Sequence, residues 1–369
     1  MRTDRRTSGT SDNIAILHDY FDKRGGGERL VINLARRLNA DIYTGFVKKN
    51  NTFDLSGINV HSLGVRAMPA ALRNIAISRR FKKHRFPRYD AYIFSGWWCI
   101  SAVHNHPNLL YLHTPPRFIY DLKDYYMKSL SPAKRLMLKA VIRYWKPRDK
   151  RYMEQFDAIC PNSENVRDRV MRYYGKRLYD KCRIVYTGIE TEKFYWKKDD
   201  GFYLSTSRLD TLKRIDLIIE AFKKNGRELI IAGSGSDEQR LKKLAHGCGN
   251  IKFTGQISES ELLGLYARCK ATVFAAKDED LGLSPIESNA AGKPAICAAE
   301  GGPLETVADG KTGLFFKPDI KSLIDAIGKS EKIRWNHKEI KKNAKRFDID
   351  VFAKAMKGIV RDVIGEHTG

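Results

Sequence analysis

The stretch Ala271–Pro294 reads ATVFAAKDEDLGLSPIESNAAGKP. It opens on a short apolar run, Ala271–Ala275, with the length and composition of a buried strand. A charged loop, Lys277–Asp280, leads through Leu281–Gly282–Leu283–Ser284 into a helix that the spacing starts at Pro285. Proline suits a helix start because the first turn's N–H groups have no intrahelical acceptor. A strand, a loop and a helix in succession form the repeating unit of a parallel sheet, whose neighbouring strands need a crossover.

The same rhythm continues outward in both directions. After Pro294, strands are expected at Pro294–Ala298 and Gly313–Phe316, with helices at Ile320–Ile327 and about Asp350–Ile364. Before Ala271, strands are expected at Phe202–Ser205, Glu228–Ala232 and Ile251–Thr254, with helices at Ile215–Lys223, Glu238–Ala245 and Ser258–Arg268. The first half has expected strands at Ile14–Leu17, Ala91–Ser95, Leu109–His113, Ala158–Cys160 and Arg183–Tyr186. Its expected helices are Glu28–Leu38, Pro69–Lys82, Pro132–Arg151 and Asn165–Tyr174. This alternation predicts an α/β chain with two doubly wound domains. Residues 1–12 read as a polar tail, 13–190 as the first domain, 191–200 as a linker, 201–345 as the second domain and 346–369 as a closing helical segment. Ligands of such sheets bind beyond the carboxyl ends of the strands. Two sheets facing across a cleft therefore place their motifs just after strands.

Charge separates the halves. The chain has 67 Lys and Arg against 43 Asp and Glu, a net of +24. Residues 1–200 hold 39 basic and 20 acidic residues, leaving 28 and 23 for the remainder. A basic first half points to an anionic partner: lipid, substrate or nucleic acid. Arg66–Arg88 carries eight basic residues and no acid; Lys134–Arg151 carries eight and the single acid Asp149. Met68, Leu72 and Ile75 share one helical face, as do Met137, Val141, Tyr144 and Trp145. Basic amphipathic helices read as membrane-surface elements. Arg79, Arg80, Lys82, Lys83 and Arg85 are the expected membrane or acceptor side. No run approaches the ~18 apolar residues of a spanning helix, so the chain reads as peripheral at most. The six cysteines form no CxxC pair and read as free thiols. His104 and His106 are close in sequence, but no matched carboxylate or cysteine is evident for a metal. No nucleic-acid-reading module is recognisable.

Four motifs follow strands. Arg24–Gly25–Gly26–Gly27–Glu28 opens a helix, and its glycines let backbone N–H groups approach a phosphate or sugar. Tyr111–Leu112–His113–Thr114–Pro115–Pro116–Arg117 ends a strand, and His113 can donate to a sugar hydroxyl. Ser207–Arg214 carries Arg208 and Lys213, two cations able to neutralise a diphosphate without a metal. In the opening stretch, Glu279 and Glu287 have seven residues between them. Gly282, Leu283 and Ser284 offer backbone amides there.

The Glu279 and Glu287 pair, followed by Ala290–Ala291–Gly292–Lys293–Pro294, resembles the donor-site signature of family 4 retaining glycosyltransferases. The segments HTPPR (113–117) and SRL…KRID (207–216), with Glu279–Asp280, resemble those of bacterial and archaeal mannosyltransferases that build surface polysaccharides and lipid-linked glycans. The likeness runs from about Ile14 to Ile364. Ser288, Asn289, Leu281 and Thr187 depart from the family's usual residues. The resemblance implies a GT-B fold of two Rossmann-like domains, with the last helix crossing back to the first. It implies transfer of a hexose, mannose from GDP-mannose, to a glycan or polyprenyl-linked acceptor. Arg208 and Lys213 would hold the diphosphate and Glu287 the ribose. Glu279 would support positive charge at the anomeric carbon. Amides of Gly282 and Leu283 would contact phosphate or sugar, and the backbone of Gln256 and Ile257 would meet the base. His113 would lie near the reacting bond, with Gly25, Gly26 and Gly27 near the diphosphate. No metal or other cofactor is implied. The implied location is the inner face of the cell membrane. A uridine-linked glucose or galactose donor, a GT-B epimerase and a basic nucleic-acid-binding protein are the alternatives.

Overall fold

The computed structural model describes residues 12–66, 68–128 and 130–368. Nearly all of the expected polar tail, residues 1–11, lies outside them. The chain forms two compact units. Among the described residues, one holds those up to Asn162, Val166–Val185 and those from Ala353; the other holds Ser163–Asn165 and Tyr186–Phe352.

Each unit is built on a six-stranded parallel sheet. In the first, β1 (Ile14–His18), β2 (Asp41–Thr44), β3 (Val60–Ser62), β4 (Ala91–Ser95), β5 (Asn108–Leu112) and β6 (Ala158–Pro161) lie in the order β3-β2-β1-β4-β5-β6. In the second, β7 (Tyr203–Thr206), β8 (Leu229–Ala232), β9 (Ile251–Gly255), β10 (Ala271–Phe274), β11 (Ala295–Ala298) and β12 (Gly313–Phe316) lie in the order β12-β11-β10-β7-β8-β9. Both are the 3-2-1-4-5-6 order of a Rossmann-like sheet. Strand order reverses between β1 and β4 in one sheet and between β7 and β10 in the other. At such a switch, the loops leaving neighbouring strands diverge and open a crevice. Central strands are mostly apolar because helices cover both faces; every residue of β1, β4, β5 and β10 is buried.

Three local expectations change. Strands β2 and β3 were not foreseen. They are short, and Asp41, Thr44, His61 and Ser62 dilute the apolar signal. Arg183–Tyr186 is not a strand. Arg183 and Val185 donate their N–H groups to the Ile159 and Pro161 carbonyls of β6 (2.9 and 3.0 Å), but Pro161 has no N–H to return. Pairing stops at one bridge, between Ile159 and Cys182. The helix after β10 spans Leu283–Ala290, so Pro285 lies within its first turn and Glu287 one turn further in.

The final helix, Ile349–Thr368, starts in the second unit and passes into the first at Ala353. There Asp362 and Glu366 pair with Arg183, at 2.6 and 3.4 Å. Among the described residues no helix is long and apolar enough to cross a membrane. All six cysteines are free, and four of them are buried.

Candidate functional site

The second sheet's switch point brings two loops together. Ser207–Lys213 leaves β7 and Lys277–Gly282 leaves β10. The Lys277 N–H donates to the Leu212 carbonyl at 2.7 Å, and the Lys213 ammonium is ion-paired with the Glu279 carboxylate. Both side chains are largely covered, which strengthens their attraction relative to a surface pair. Arg208 is held differently: its Nε donates to Asp210 at 2.8 Å and its side chain is 69% exposed. The two cations expected to share one diphosphate thus rest on different carboxylates.

Close backbone approach positions both loops. A Cβ on Gly235 would lie 2.1 Å from the Leu209 carbonyl oxygen, and one on Gly233 2.1 Å from that of Ser207. A Cβ on Gly302 would lie 2.2 Å from the Leu281 Cα. The Gly302 N–H donates to the Glu279 carbonyl at 2.8 Å. Gly282, with φ +83°, precedes the Leu283–Ala290 helix. Its conformation is one that glycine adopts without steric cost.

Glu287 accepts from the Tyr266 hydroxyl at 2.6 Å. That hydroxyl also meets Thr206 Oγ1 at 2.6 Å and Ser284 Oγ at 3.2 Å, and Thr206 and Ser284 are 2.5 Å apart. Burial, then the Glu287 charge, pushes the Tyr266 pKa well up, so it remains a donor. Thr206 and Tyr266 were not singled out in the sequence, Ser284 was singled out only for its backbone amide, and the Arg214–Glu300 ion pair was not foreseen. Only Gly233–Ser234–Gly235, directly after β8, carried a readable signal. The Ser207 hydroxyl beside it is buried without a hydrogen-bond partner among the described residues. Gln256 is exposed just past β9, and Ile257 packs into the apolar cluster around Tyr266. Leu283 is half-buried.

The rest of the recognised signature is structural. Lys293 is buried, and its ammonium donates to the Lys197 carbonyl at 2.7 Å. Ser288 and Asn289, two departures from the family pattern, both donate to the Lys293 carbonyl at 3.1 Å.

In the first unit, the switch between β1 and β4 carries a second cluster. His113 Nε2 lies 3.0 Å from Ser95 Oγ, and His18 Nδ1 lies 2.5 Å from the Ser95 carbonyl. Desolvation, and to a lesser extent His18, pushes the His113 pKa down to about 4. A Cβ on Gly27 would sit 3.8 Å from the His113 ring, so the glycine turn and the histidine are neighbours. Gly26 starts the Gly26–Leu38 helix and Gly25 precedes it. Thr114 is held by the buried Arg169 at 2.8 Å. His18 and Ser95 were missed, because each reads as the plain end of an apolar strand. The second nitrogen of His18 is buried with no hydrogen-bond partner among the described residues.

The basic helices behave in two ways. Arg79, Arg80, Lys82, Lys83 and Arg85 are all exposed, at the end of the helix Ala70–Lys83. Leu72 and Met137 are 60% and 56% exposed. Trp145, by contrast, is buried against Trp97 and Trp98 and faces the core. Asp149 is buried too, and accepts from Trp97 Nε1, Tyr120 and Tyr174 at 2.7, 2.6 and 2.8 Å. The only acid of that helix is therefore spent inside, and its outer surface stays basic. A groove of about 540 Å³ runs between the two helices, with Ile75, Val141 and Tyr144 in its wall and Arg79, Lys82 and Arg148 among its cations.

The model for "Glycosyltransferase Family 4" matches residues 24–193, and that for "Glycosyl transferases group 1" matches residues 189–347. The chain belongs to the family 4 glycosyltransferases. An alpha-1,3/1,6-mannosyltransferase of Dictyostelium discoideum, ALG2, is 25% identical to the enzyme over 95% of this chain and 98% of that one. A GDP-mannose-dependent alpha-(1-6)-phosphatidylinositol monomannoside mannosyltransferase of Mycobacterium tuberculosis is 35% identical, over 34% of this chain and 36% of that one. The crystal structure of Anabaena HepE in complex with UDP and glucose superposes with a TM-score of 0.72 at 15% identity, covering 95% and 99% of the two chains. The enzyme's fold is therefore GT-B, with two Rossmann-like domains. Glycosyltransferases of this kind bind a nucleotide sugar and a glycan acceptor.

Proposed function

We propose that the enzyme is a retaining mannosyltransferase that uses GDP-mannose without a metal ion and acts on a glycan or lipid-linked acceptor at an anionic membrane surface. The observation that carries this reading is the Lys213–Glu279 pair at the switch point of the second sheet. A cation beside a carboxylate meets both demands of retaining transfer: Lys213, with Arg208, neutralises the departing diphosphate, and Glu279 supports positive charge at the anomeric carbon. Glu287, oriented by Tyr266, suits the ribose hydroxyls. The amides of Gly282 and Leu283 suit phosphate or sugar, and the backbone of Gln256 and Ile257 suits the base. On the first unit, Gly25–Gly27 suit close approach by a phosphate. His113, uncharged at neutral pH, suits a hydrogen bond to a sugar hydroxyl. No nucleophile is assigned. The departing phosphate accepts the acceptor's proton on the face where the acceptor attacks.

Mannose is favoured by the two mannosyltransferase relatives. An anionic membrane surface is favoured by the exposed cations and the apolar groove between the basic helices, and the same proposal puts the enzyme at the inner face of the cell membrane. The test is a panel of GDP-mannose, UDP-glucose, UDP-galactose and ADP-glucose in thermal-shift and hydrolysis assays, with and without EDTA. GDP-mannose should give the largest shift and the fastest hydrolysis, unchanged by EDTA. Preference for a UDP-sugar would replace the donor. Loss of turnover in EDTA, restored by Mg²⁺ or Mn²⁺, would overturn the role given to Arg208 and Lys213.

A further inference from the structure

The sequence offered no carboxylate for the histidines of His104–Asn105–His106. The fold supplies one. Asp157 directly precedes β6, as His106 precedes β5, and parallel pairing of those strands sets the two residues side by side. His106 Nδ1 lies 2.9 Å from Asp157 Oδ2. His367, in the last turn of the Ile349–Thr368 helix, brings its Nε2 to 3.0 Å from the same oxygen. One ligand atom from each residue lies within 4.8 Å of the other two.

We propose that His106, Asp157 and His367 form a site for a divalent transition metal ion of the zinc type. Two imidazoles and one carboxylate are a donor set for Zn²⁺, with water completing a tetrahedron. Three donors already converge on Asp157 Oδ2, because the Asn108 N–H reaches it at 2.8 Å as well. Three donors exceed two lone pairs, and a cation drawn in by the carboxylate relieves that crowding by taking both imidazole nitrogens as ligands. The carboxylate is already oriented: the Asp157 N–H donates to the Asn108 side chain at 3.1 Å, completing a reciprocal clamp. Such outer contacts raise metal affinity by fixing the ligand.

The position also says what the ion does. His106 lies before β5 and His113 after it. The strand's five residues, at about 3.3 Å each, put the two at opposite ends of the strand, His106 at its amino end and His113 at its carboxyl end. The ion therefore takes no part in sugar transfer. It clips the last turn of the final helix to the first unit, alongside the pairs from Arg183 to Asp362 and Glu366. This inference is independent of the donor.

The test uses untagged full-length protein stripped with chelator, then titrated with Zn²⁺ by calorimetry and with Co²⁺ by visible absorption. About one equivalent should bind, with cobalt ligand-field bands and a thermal midpoint raised by several degrees. His106→Gln and His367→Gln should each weaken binding at least about tenfold and abolish the shift, while His104→Gln should bind as the parent does. Donor hydrolysis should be equal in stripped and zinc-loaded enzyme. No saturable uptake, or uptake unchanged in both variants, overturns the site. So does a midpoint that responds to pH but not to Zn²⁺, because the cluster is then only an ion pair.

Discussion

Glu279 and Lys213 show how one contact constrains mechanism. The carboxylate's charge matters most when the anomeric carbon becomes cationic, so Glu279→Gln should lower kcat about 100-fold or more and change donor Kd only a few-fold. Single-turnover transfer beside calorimetric donor binding separates the two, and near-parent turnover removes Glu279 from the chemistry. His113 makes a different prediction. Its folded pKa, about 4, lies below the ~6.5 of a free histidine, so folding favours the neutral ring. Its contribution to stability is complete above about pH 6.5 and is lost as pH falls from there through about 4. Denaturant unfolding of His113→Gln across that window should show a shallower loss than the parent, and an NMR titration of the ring should find it neutral at pH 6. A ring that titrates near 6.5 contradicts this environment.

At the scale of elements, the donor-side loops hold their shape through glycines at backbone contacts. Gly302 has an ordinary helical φ of −56°, so what demands glycine there is its neighbour, the Leu281 backbone at 2.2 Å. Gly302→Ala must push the Lys277–Gly282 loop aside and should cost about 1–3 kcal/mol of stability, with weaker donor binding. Gly328 is the contrast. It lies inside the helix Ile320–Lys332, and a Cβ there meets nothing within 4 Å. Gly328→Ala should stabilise by about 0.5–1 kcal/mol and leave donor binding unchanged. Urea unfolding with donor titration distinguishes these cases. The order of elements was legible because buried parallel strands and helices differ in period. Strands β2 and β3 were not, since elements of four and three residues with polar residues among them carry too few apolar positions to show one.

Across the whole molecule, charge is the dominant surface property. Arg79, Lys82 and Arg148 line an apolar groove, Arg80, Lys83 and Arg85 are exposed as well, and Asp149 is removed from the solvent-facing side of its helix by burial. Clustered cations attract an anionic bilayer over about 8 Å at physiological salt. The enzyme should therefore co-sediment with anionic vesicles, less at high salt and little with neutral vesicles. Changing Lys82, Lys83 and Arg85 together to Ser should weaken binding and lower transfer to a lipid-linked acceptor, with donor hydrolysis nearly unchanged. Equal, weak sedimentation with both vesicle types gives this charge another purpose.

The sequence by itself determined the two α/β units, the placement of the four candidate motifs just after strands and the basic character of the first half. Those properties are local: they follow from hydrophobic period, from glycine and proline at turns and from net charge. Tertiary structure decided which charges pair across loops. Lys213 meets Glu279 because β7 and β10 lie side by side where strand order reverses, whereas Arg208 is held by Asp210 of its own loop. The Tyr266–Thr206–Ser284 network around Glu287 joins three elements that no spacing relates. Trp145 turned to the core while Met137 stayed exposed, a choice made by neighbours on other elements. His106, Asp157 and His367 were brought together by parallel pairing and by the path of the last helix, over separations in sequence that no local pattern spans.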